Sequence, residues 1–180
     1  MPSSVDRLDA AVLALFAAEP RIGVLEASRR LGVARGTIQA RLDRLATRGV
    51  VRGWGPDVSP AMLGFEVTAF ITLEITQRGH RGIEQALERI PQVLEAHTIT
   101  GAGDMLVRVV ARTNADLQLV VDDVLAIEGV DRSNMVIALA NGVPFRTQPL
   151  VEQASAPTPP KPTTAGSQSA STVASVVANR

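Results

Sequence analysis

The chain has 180 residues, 46% of them hydrophobic, with 18 basic and 18 acidic residues and no net charge. This length and composition suit a globular protein with one or two domains and apolar cores. Cysteine is absent, which excludes disulfides and thiolate metal sites, and no apolar run approaches the roughly 18 residues needed to span a bilayer. Because the first residues show no secretory leader, we expect a cytoplasmic protein with no membrane contact. We also expect no bound metal and no other cofactor.

Charge is unevenly distributed along the chain. Residues 1–60 hold nine arginines and six acids, whereas residues 61–150 hold seven arginines and eleven acids. A local excess of positive charge attracts an anionic partner even when the whole chain is neutral. The first 60 residues are therefore the segment in which contacts with nucleic acid are expected.

Residues 1–52 have the pattern of a helix-turn-helix domain. Apolar residues at helical spacing predict three short helices, in the stretches DRLDAAVLALFAAE, VLEASRRLGV and ARGTIQARLDRLATRG. Asp6 is the expected N-cap of the first helix, and Gly32 supplies the turn before the third. The stretch VVRGWG that follows is expected to be a short strand.

The third helix carries the residues expected to contact DNA. Its residues Ile38, Leu42 and Leu45 form one apolar stripe, so the opposite face points outward. Arginine reads guanine and glutamine reads adenine in the major groove, and arginine also contacts phosphates. The predicted DNA-binding residues are Arg35, Gly36, Thr37, Gln39, Ala40, Arg41, Arg44 and Arg48, the last three as phosphate contacts. A three-helix module with a merely solvated arginine face fits the same pattern.

Residues 66–147 alternate between strand and helix patterns. The predicted order is β-α-β-β-α-β, in the stretches VTAFITLEIT, HRGIEQALERI, VLEAHTIT, MLVRVVA, NADLQLVVDDVLAIEG and VDRSNMVIALA. Asn114 is the expected cap of the second of these helices. This order predicts a ferredoxin-like βαββαβ domain. Its first strand is apolar on both faces, so we expect the sheet face without helices to be buried against a second copy in a homodimer.

Two further segments complete the organisation of an α+β chain. Residues 53–65 are expected to form a strand linker between the helix-turn-helix domain and the ferredoxin-like domain. Residues 148–180 are rich in Ala, Ser, Thr and Pro and lack apolar periodicity. Such a segment buries too little apolar surface to offset its ordering entropy, so the tail is predicted to be disordered.

The segment TITGAGDMLVRVV places Gly101-Ala102-Gly103-Asp104 between two predicted strands. It lacks the third glycine of a dinucleotide fingerprint, and a strand rather than a helix follows, so a phosphate cradle is disfavoured. A hairpin turn with glycines at positive φ explains the segment well. No nucleophile, base and orienting residue can be assembled from the local motifs, so no catalytic residue is predicted.

Both predicted domains carry a family resemblance. The leading D..L, the turn LGV, Arg41 and Leu45 within RLDRL, GVV.GW and the P..LG ending at Gly64 resemble the N-terminal part of the leucine-responsive/asparagine regulator (Lrp/AsnC) family. VLEAHTITGAGDMLVRV resembles the second and third strands of that family, with Gly101 and Asp104 in register. GVDRSNMVIAL resembles its last strand. The resemblance covers roughly residues 6–147.

The resemblance implies a transcriptional activator or repressor. In such a protein a winged or simple helix-turn-helix is joined by a strand linker to a ligand-sensing and oligomerisation domain. It implies dimers, often assembled into rings of dimers, which bind an amino acid between subunits. The implied effector-binding residues are Thr98, Thr100, Gly101, Ala102, Gly103, Asp104, Met105 and Ser133. Ala34 stands where the family often has a serine, so the third helix is expected to lack its usual N-cap.

Three classes of function are therefore compared. The leading hypothesis is a regulator that binds double-stranded DNA and whose DNA affinity or assembly is tuned by a small effector, expected to be an amino acid. The second is a small ferredoxin-like enzyme with a helical accessory module. The third is a metabolite-binding protein whose helical module docks another protein.

Overall fold

A computed structural model describes residues 5–76 and 80–156 of the chain, without the side chains of residues 80 and 81. Its helices are α1 (Arg7–Ala18), α2 (Val24–Leu31), α3 (Arg35–Thr47), α4 (His80–Glu88), α5 (Asn114–Leu125) and α6 (Gln148–Ser155). Its strands are β1 (Val67–Ile75), β2 (Val93–Thr98), β3 (Met105–Ala111) and β4 (Val130–Ala138). Contacts divide the chain into two units, residues 1–52 with 146–180 (the helical unit) and residues 53–145 (the sheet unit).

The helical unit begins with a helix whose start is fixed by two aspartates. Asp6 is the N-cap of α1, and its Oδ1 accepts a hydrogen bond from the backbone N–H of Asp9 at 2.8 Å. The Asp9 carboxylate accepts in return from the Asp6 N–H at 3.1 Å, which completes a capping box. The expected N-cap is thus confirmed, and the partner residue that makes it reciprocal is Asp9.

The turn between α2 and α3 follows the expected chemistry. Gly32 ends α2 with a φ of +66°, a left-handed conformation that glycine adopts without a steric cost. Ala34 begins α3 in extended backbone and gives no side-chain hydrogen bond to the helix, as its lack of a polar group predicts. The apolar faces of the helices meet in a small core of buried side chains, namely Val12, Ala27, Ile38 and Leu42.

The segment that follows α3 contains no strand. Residues 50–66 have irregular backbone apart from one turn of 3-10 helix at Ala61–Leu63, so the expected strand at VVRGWG and the strand linker over 53–65 are not observed. At the start of this segment, the N–H groups of Val50 and Val51 both donate to the carbonyl of Leu45 at the end of α3. Amides used to close a helix are not available for strand pairing. The helical unit is therefore a helix-turn-helix without a strand wing.

The sheet unit has the expected ferredoxin-like topology. Its four strands are antiparallel in the order β2-β3-β1-β4, with β1 and β3 in the centre. One face of β1, formed by Ala69, Ile71 and Leu73, is buried among apolar side chains of β3, α4 and α5. The opposite face of β1 carries half-buried side chains and is called the open face below. The cap of α5 is Thr113 rather than Asn114, because the Thr113 Oγ1 accepts the N–H of Asp116 at 3.1 Å.

The segment expected to be disordered begins with a helix. Residues 148–155 form α6, which packs against α1 within the helical unit. Proline in a first turn costs no helical hydrogen bond, and Pro149 occupies that place. Gln148, Val151 and Ser155 are half-buried at spacings of three and four, so one face of α6 is covered. Contact with α1 supplies the burial that local composition did not indicate; residues 157–180 lie outside the described residues.

Candidate functional site

The outward face of α3 begins with a stretch of exposed residues. Arg35, Gly36, Thr37, Gln39 and Ala40 are all exposed, whereas Ile38 on the same turn is fully buried. A Cβ added to Gly36 would meet no atom within 4 Å, so the backbone of this turn is open to a closely approaching partner. Arg35 makes no ion pair with any residue that the structure describes. This arrangement suits a helix that enters a groove of DNA with its N-terminal half.

Two arginines that were expected to contact phosphates bind carboxylates of α1 instead. Arg41 Nη1 lies 2.6 Å from Asp6 Oδ2 and 2.7 Å from Asp9 Oδ1. Arg44 Nη2 lies 2.8 Å from Asp9 Oδ1 and 2.6 Å from Asp9 Oδ2. We call these four residues the Asp9 cluster. Arg41 and Arg44, both predicted as phosphate contacts, are thus paired with α1 in this structure, while Arg48 is exposed at the end of α3.

The Asp9 cluster is the feature that sequence reasoning missed. Asp9 is 1% exposed, and a buried carboxylate is stable only when paired and hydrogen-bonded. The hydrogen bond from Arg41 lowers the pKa of Asp6, and the Asp6 carboxylate raises the pKa of Arg41. Stability from Asp6 is therefore present above the ordinary carboxyl range and is lost as pH falls through its lowered pKa. The sequence contained one signal for this cluster. Asp6 and Asp9 are three residues apart at the start of one predicted helix, and Arg41 and Arg44 are three residues apart on another.

At one end of the sheet, the glycine segment forms the turn between β2 and β3. Gly101 has a φ of +120°, as the hairpin interpretation predicts for a glycine. Gly103 is needed for another reason, because a Cβ there would collide with the Thr72 side chain and lie 3.0 Å from the Leu73 carbonyl oxygen. The turn therefore rests directly on the end of β1.

Asp104 fixes this turn to β1. Its backbone N–H donates to the Leu73 carbonyl at 2.8 Å, and its Oδ2 accepts the N–H of Ile75 at 2.7 Å. The pairing of β1 with β4 changes register between Glu74 and Ile75, so this side chain satisfies a backbone donor at an irregular point of the sheet. Asp104 thus has a structural role beside any role in ligand binding.

A shallow depression of about 430 Å³ opens beside the turn. Its lining includes three carboxylates, those of Glu74, Asp104 and Asp131, together with residues 101–103. The backbone N–H groups of residues 101–103 donate to no partner within the described part of the chain. Negative side chains beside free amide donors give one site for a cation and, next to it, one for an anion.

The structure brings only part of the predicted effector set to this depression. Gly101, Ala102, Gly103 and Asp104 line it. Thr98, Met105 and Ser133 lie with Leu73 in one row across the sheet, on the face that carries the buried β1 residues. Met105 is 1% exposed within the core, so the structure does not offer its side chain to an effector. Thr100 is exposed in the turn itself.

The open face of the sheet continues into an exposed apolar surface. Val136 of β4 is 60% exposed, and the residues after the strand include Leu139, Val143 and Phe145, exposed by 97%, 67% and 82%. A depression of about 470 Å³ lies between these residues and the open face near Phe70. An apolar surface of this kind on a single chain marks an interaction site.

Two classes of site find no support among the described residues. No group of three or more His, Asp or Glu side chains there could hold a metal ion. No described helix is long and apolar enough to cross a membrane.

Comparison with known proteins identifies both units. Residues 5–46 match the model of the AsnC-type helix-turn-helix domain, and residues 68–147 match that of the Lrp/AsnC ligand binding domain. An HTH-type transcriptional regulator of Pyrococcus furiosus is 32% identical over 135 residues, which cover 75% of this chain and 91% of that protein. The chain belongs to the Lrp/AsnC family.

Similarity to two further regulators supports the assignment to the Lrp/AsnC family. The regulatory protein AsnC of Escherichia coli is 27% identical over 141 residues, which cover 77% of this chain and 93% of AsnC. The solved structure of E. coli AsnC superposes with a TM-score of 0.74 at 26% identity, covering 81% of this chain and 99% of that one. A Neisseria meningitidis regulator solved with L-Met shares the fold, with a TM-score of 0.72 at 22% identity and coverage of 82% and 99%.

Family membership assigns a class of function to each unit. The chain is a DNA-binding transcriptional regulator, and α2 and α3 are the two helices of its helix-turn-helix. The sheet unit is the ligand-binding domain of the Lrp/AsnC family. The helical unit therefore contains the DNA-binding domain.

Proposed function

We propose that this chain acts as a homodimer that binds double-stranded DNA through α3 and responds to an amino acid bound at the sheet unit. The observation that carries the proposal is the exposed first half of α3, where polar and small side chains face outward above a buried apolar stripe. The proposal places the protein in the cytoplasm, where DNA and free amino acids are both present, and assigns it no catalytic step.

The proposed base-reading residues are those of the first turns of α3. In the major groove, Arg35 donates two hydrogen bonds to O6 and N7 of guanine, and the side-chain amide of Gln39 reads adenine. Thr37 lies between them, and Gly36 and Ala40 allow the helix to approach the groove closely. Arg48 at the far end of α3 is proposed as a phosphate contact. Gln39 Nε2 now donates to Asp43 Oδ1 at 2.9 Å, so this contact exchanges for one with DNA.

DNA binding is tested by fluorescence anisotropy with duplexes recovered from a random pool by in vitro selection. We expect binding whose affinity falls as salt rises, because arginines that neutralise phosphates release counterions. Arg35→Ala should weaken binding by about tenfold or more, the value of one bidentate base contact. Arg89→Ala is the matched control, since Arg89 is an exposed arginine of the sheet unit that directly follows α4. Recovery of no sequence, or binding that is indifferent to salt, would refute the proposal.

The proposed effector site is the depression beside the glycine turn. The ammonium group of an amino acid fits the carboxylates of Asp104 and Asp131, and its carboxylate fits the free amides of residues 101–103. The Oδ1 atom of Asp104 remains for the ammonium group, because the Ile75 N–H donates to Oδ2 and no described residue donates to Oδ1. The effector would thus bind next to the point at which the turn is attached to β1.

A thermal-shift screen of the twenty amino acids tests the effector proposal. A ligand that binds only the folded chain raises its melting temperature, by an amount that grows with concentration above Kd. Asp131→Asn should abolish the shift without weakening the fold, because the Asp131 side chain is 61% exposed. Asp123→Asn, an exposed aspartate of α5, is the control. If none of the twenty raises the melting temperature, the amino acid class is wrong.

The proposed dimer forms through the open face and the apolar surface beside Val136. Burial of these exposed apolar groups is the driving force, and a second copy offers the same surface to the first. Val136→Glu should yield monomers in sedimentation velocity experiments, because each copy would bury an unpaired carboxylate. Leu119→Glu is a close control, since Leu119 is 63% exposed against 60% for Val136 but lies on α5. The same runs report whether dimers join into larger assemblies, as the family resemblance implies. Monomers in the unaltered protein, or an intact dimer in Val136→Glu, would contradict this arrangement.

A further inference from the structure

The Asp9 cluster joins two helices that lie far apart in sequence. One carboxylate near the start of α1 binds Arg41, 32 residues later, and Arg44, 35 residues later. Arg44 binds both oxygens of Asp9, and Asp9 is itself 1% exposed. The same carboxylate also accepts the Asp6 N–H, so all of its partners are fixed by α1 or by α3.

This cluster is a set of ion pairs that connects α3 to α1. The apolar residues Ile38, Leu42 and Leu45 set how deeply α3 packs, but apolar contacts are not directional. Hydrogen bonds from a planar guanidinium to a carboxylate are directional, and Asp9 accepts them from two arginines about one helical turn apart. The cluster therefore adds a directional constraint on the rotation of α3 about its own axis to the coarser one that the apolar stripe imposes.

Rotation of α3 matters for base reading. A bidentate contact from Arg35 or Gln39 requires that the side chain leave the helix in the correct direction, and residues on one helix rotate together. Loss of the cluster would leave α3 held by its apolar stripe alone, with a wider range of small rotations about its axis. Contacts to phosphates tolerate such a turn better than contacts to base edges, because phosphates position the protein without carrying sequence information.

We propose that Asp9 is a positioning residue for sequence recognition, which acts through Arg41 and Arg44 to hold α3 in its DNA-reading orientation. The two arginines thus bind a carboxylate of their own chain rather than the DNA backbone. The inference rests on the proposed role of α3 as the reading helix. It goes further by separating the arginines of α3 into one that reads bases, Arg35, and two that orient the helix.

The test compares binding to a duplex recovered by in vitro selection with binding to a scrambled duplex of the same length. All measurements are made at a temperature at which circular dichroism shows each variant to be folded. Asp9→Asn removes the charge and keeps the shape. We expect its affinity for the selected duplex to fall by about tenfold or more, the value of one bidentate base contact. Its affinity for the scrambled duplex should stay equal or rise, because the variant has one negative charge fewer and Arg44 loses its closest carboxylate.

A merely structural role would give another result. A variant that is only less stable, or partly unfolded, loses affinity for both duplexes by the same factor. That outcome for Asp9→Asn would overturn the proposal. Glu19→Gln is the matched control, because Glu19 pairs with Arg30 of α2 and has no contact with α3 among the described residues. It should leave the ratio of the two affinities unchanged.

A second variant keeps the inference falsifiable if Asp9→Asn does not fold. Arg44→Lys retains the positive charge but replaces the rigid, planar guanidinium, whose Nη2 donates to both Asp9 oxygens, by a compact ammonium on a flexible stem. If Arg44 orients α3, the lysine should lower the ratio of selected to scrambled affinity by severalfold. It should leave the dependence of scrambled-duplex affinity on salt unchanged.

Arg44→Gln distinguishes orientation from direct phosphate contact. A phosphate contact contributes roughly one unit to the slope of log affinity against log salt, so its removal lowers the slope by about that amount. We expect no such decrease for Arg44→Gln on the scrambled duplex, and a decrease of about one unit would overturn the proposal. If selection recovers no duplex at all, the DNA-binding role of α3 has failed instead, which separates the two conclusions.

Discussion

The helical unit joins α1 to α3 through a buried carboxylate and two arginines, whereas in the sheet unit an apolar core joins the sheet to its helices. Charged hydrogen bonds fix direction, and apolar burial fixes proximity without direction. Under the proposed function, the unit that presents side chains to base edges is the one with the directional interaction. The ligand-binding unit is instead built on a close-packed layer that leaves one sheet face open. Four substitutions or truncations test this difference, in order of decreasing expected effect.

The largest effect is expected in the apolar layer of the sheet unit. Leu117 of α5 is 1% exposed within the core, and truncation of such a leucine to alanine costs about 2–5 kcal/mol. Leu117→Ala should lower the free energy of unfolding by this amount in urea denaturation followed by circular dichroism. Leu119→Ala on the same helix is the control, because Leu119 is 63% exposed and should cost less than about 1 kcal/mol. Equal costs would show that burial does not govern this unit.

The next effect is expected where the glycine turn rests on β1. Gly103→Ala places a Cβ against the Thr72 side chain and 3.0 Å from the Leu73 carbonyl oxygen. The backbone must shift, at a cost of about 1–3 kcal/mol in the free energy of unfolding. Gly142→Ala, where a Cβ would meet nothing within 4 Å, should change stability little. Thermal denaturation of both variants measures the difference, and an unchanged melting temperature for Gly103→Ala would contradict the close approach.

A smaller effect is expected from the loss of α6. A chain that ends at Thr147 loses the half-buried face formed by Gln148, Val151 and Ser155. Partial burial of one valine and the apolar parts of two polar side chains contributes roughly 1 kcal/mol to the free energy of unfolding. We therefore expect the truncated chain to have a less stable helical unit. Hydrogen exchange of α1 amides should accelerate while that of β1 amides stays the same. A chain that ends at Ala156 is the control, and faster exchange in β1 instead would place α6 with the sheet unit.

The smallest effect is expected at the start of α3, and it is a gain. Ala34 is the N-cap and gives no side-chain hydrogen bond, so Ala34→Ser supplies an acceptor for an amide of the first turn. A serine cap contributes about 0.5–1 kcal/mol relative to alanine. The free energy of unfolding should rise by that amount, as measured in urea. Ala46→Ser, an exposed interior position of the same helix, should give no gain, and a gain there would remove the cap as the cause.

Local chemistry was sufficient to predict much of the fold. Apolar periodicity placed the three helices of the helix-turn-helix and the alternation of the ferredoxin-like unit, because burial of one face imposes a repeat on the sequence. Asp6 and Gly32 were recognised as helix ends because their roles depend on neighbours within four residues. The α+β class followed from the order of these elements alone.

The features that sequence did not predict depend on partners far along the chain. Arg41 and Arg44 have the helical spacing of a phosphate-binding face, and only the position of α1 shows that Asp9 binds them. Met105 lies next to the glycine turn in sequence, but the alternation of β3 turns it into the core. The helix α6 has a composition typical of disorder, and α1 provides the surface that orders it. In each case the deciding contact is not encoded locally.

The contact between α6 and α1 also changes what counts as a separable part of this protein. The helical unit is discontinuous in sequence: the chain leaves it after residue 52 and returns at residue 146. The ligand-binding unit is therefore an insertion within the DNA-binding unit rather than an appendage to its end. Exchange of sensory parts between relatives, by recombination or in the laboratory, then requires two junctions instead of one. A fusion that keeps only residues 1–52 of this chain would lack α6, which belongs to the DNA-binding unit.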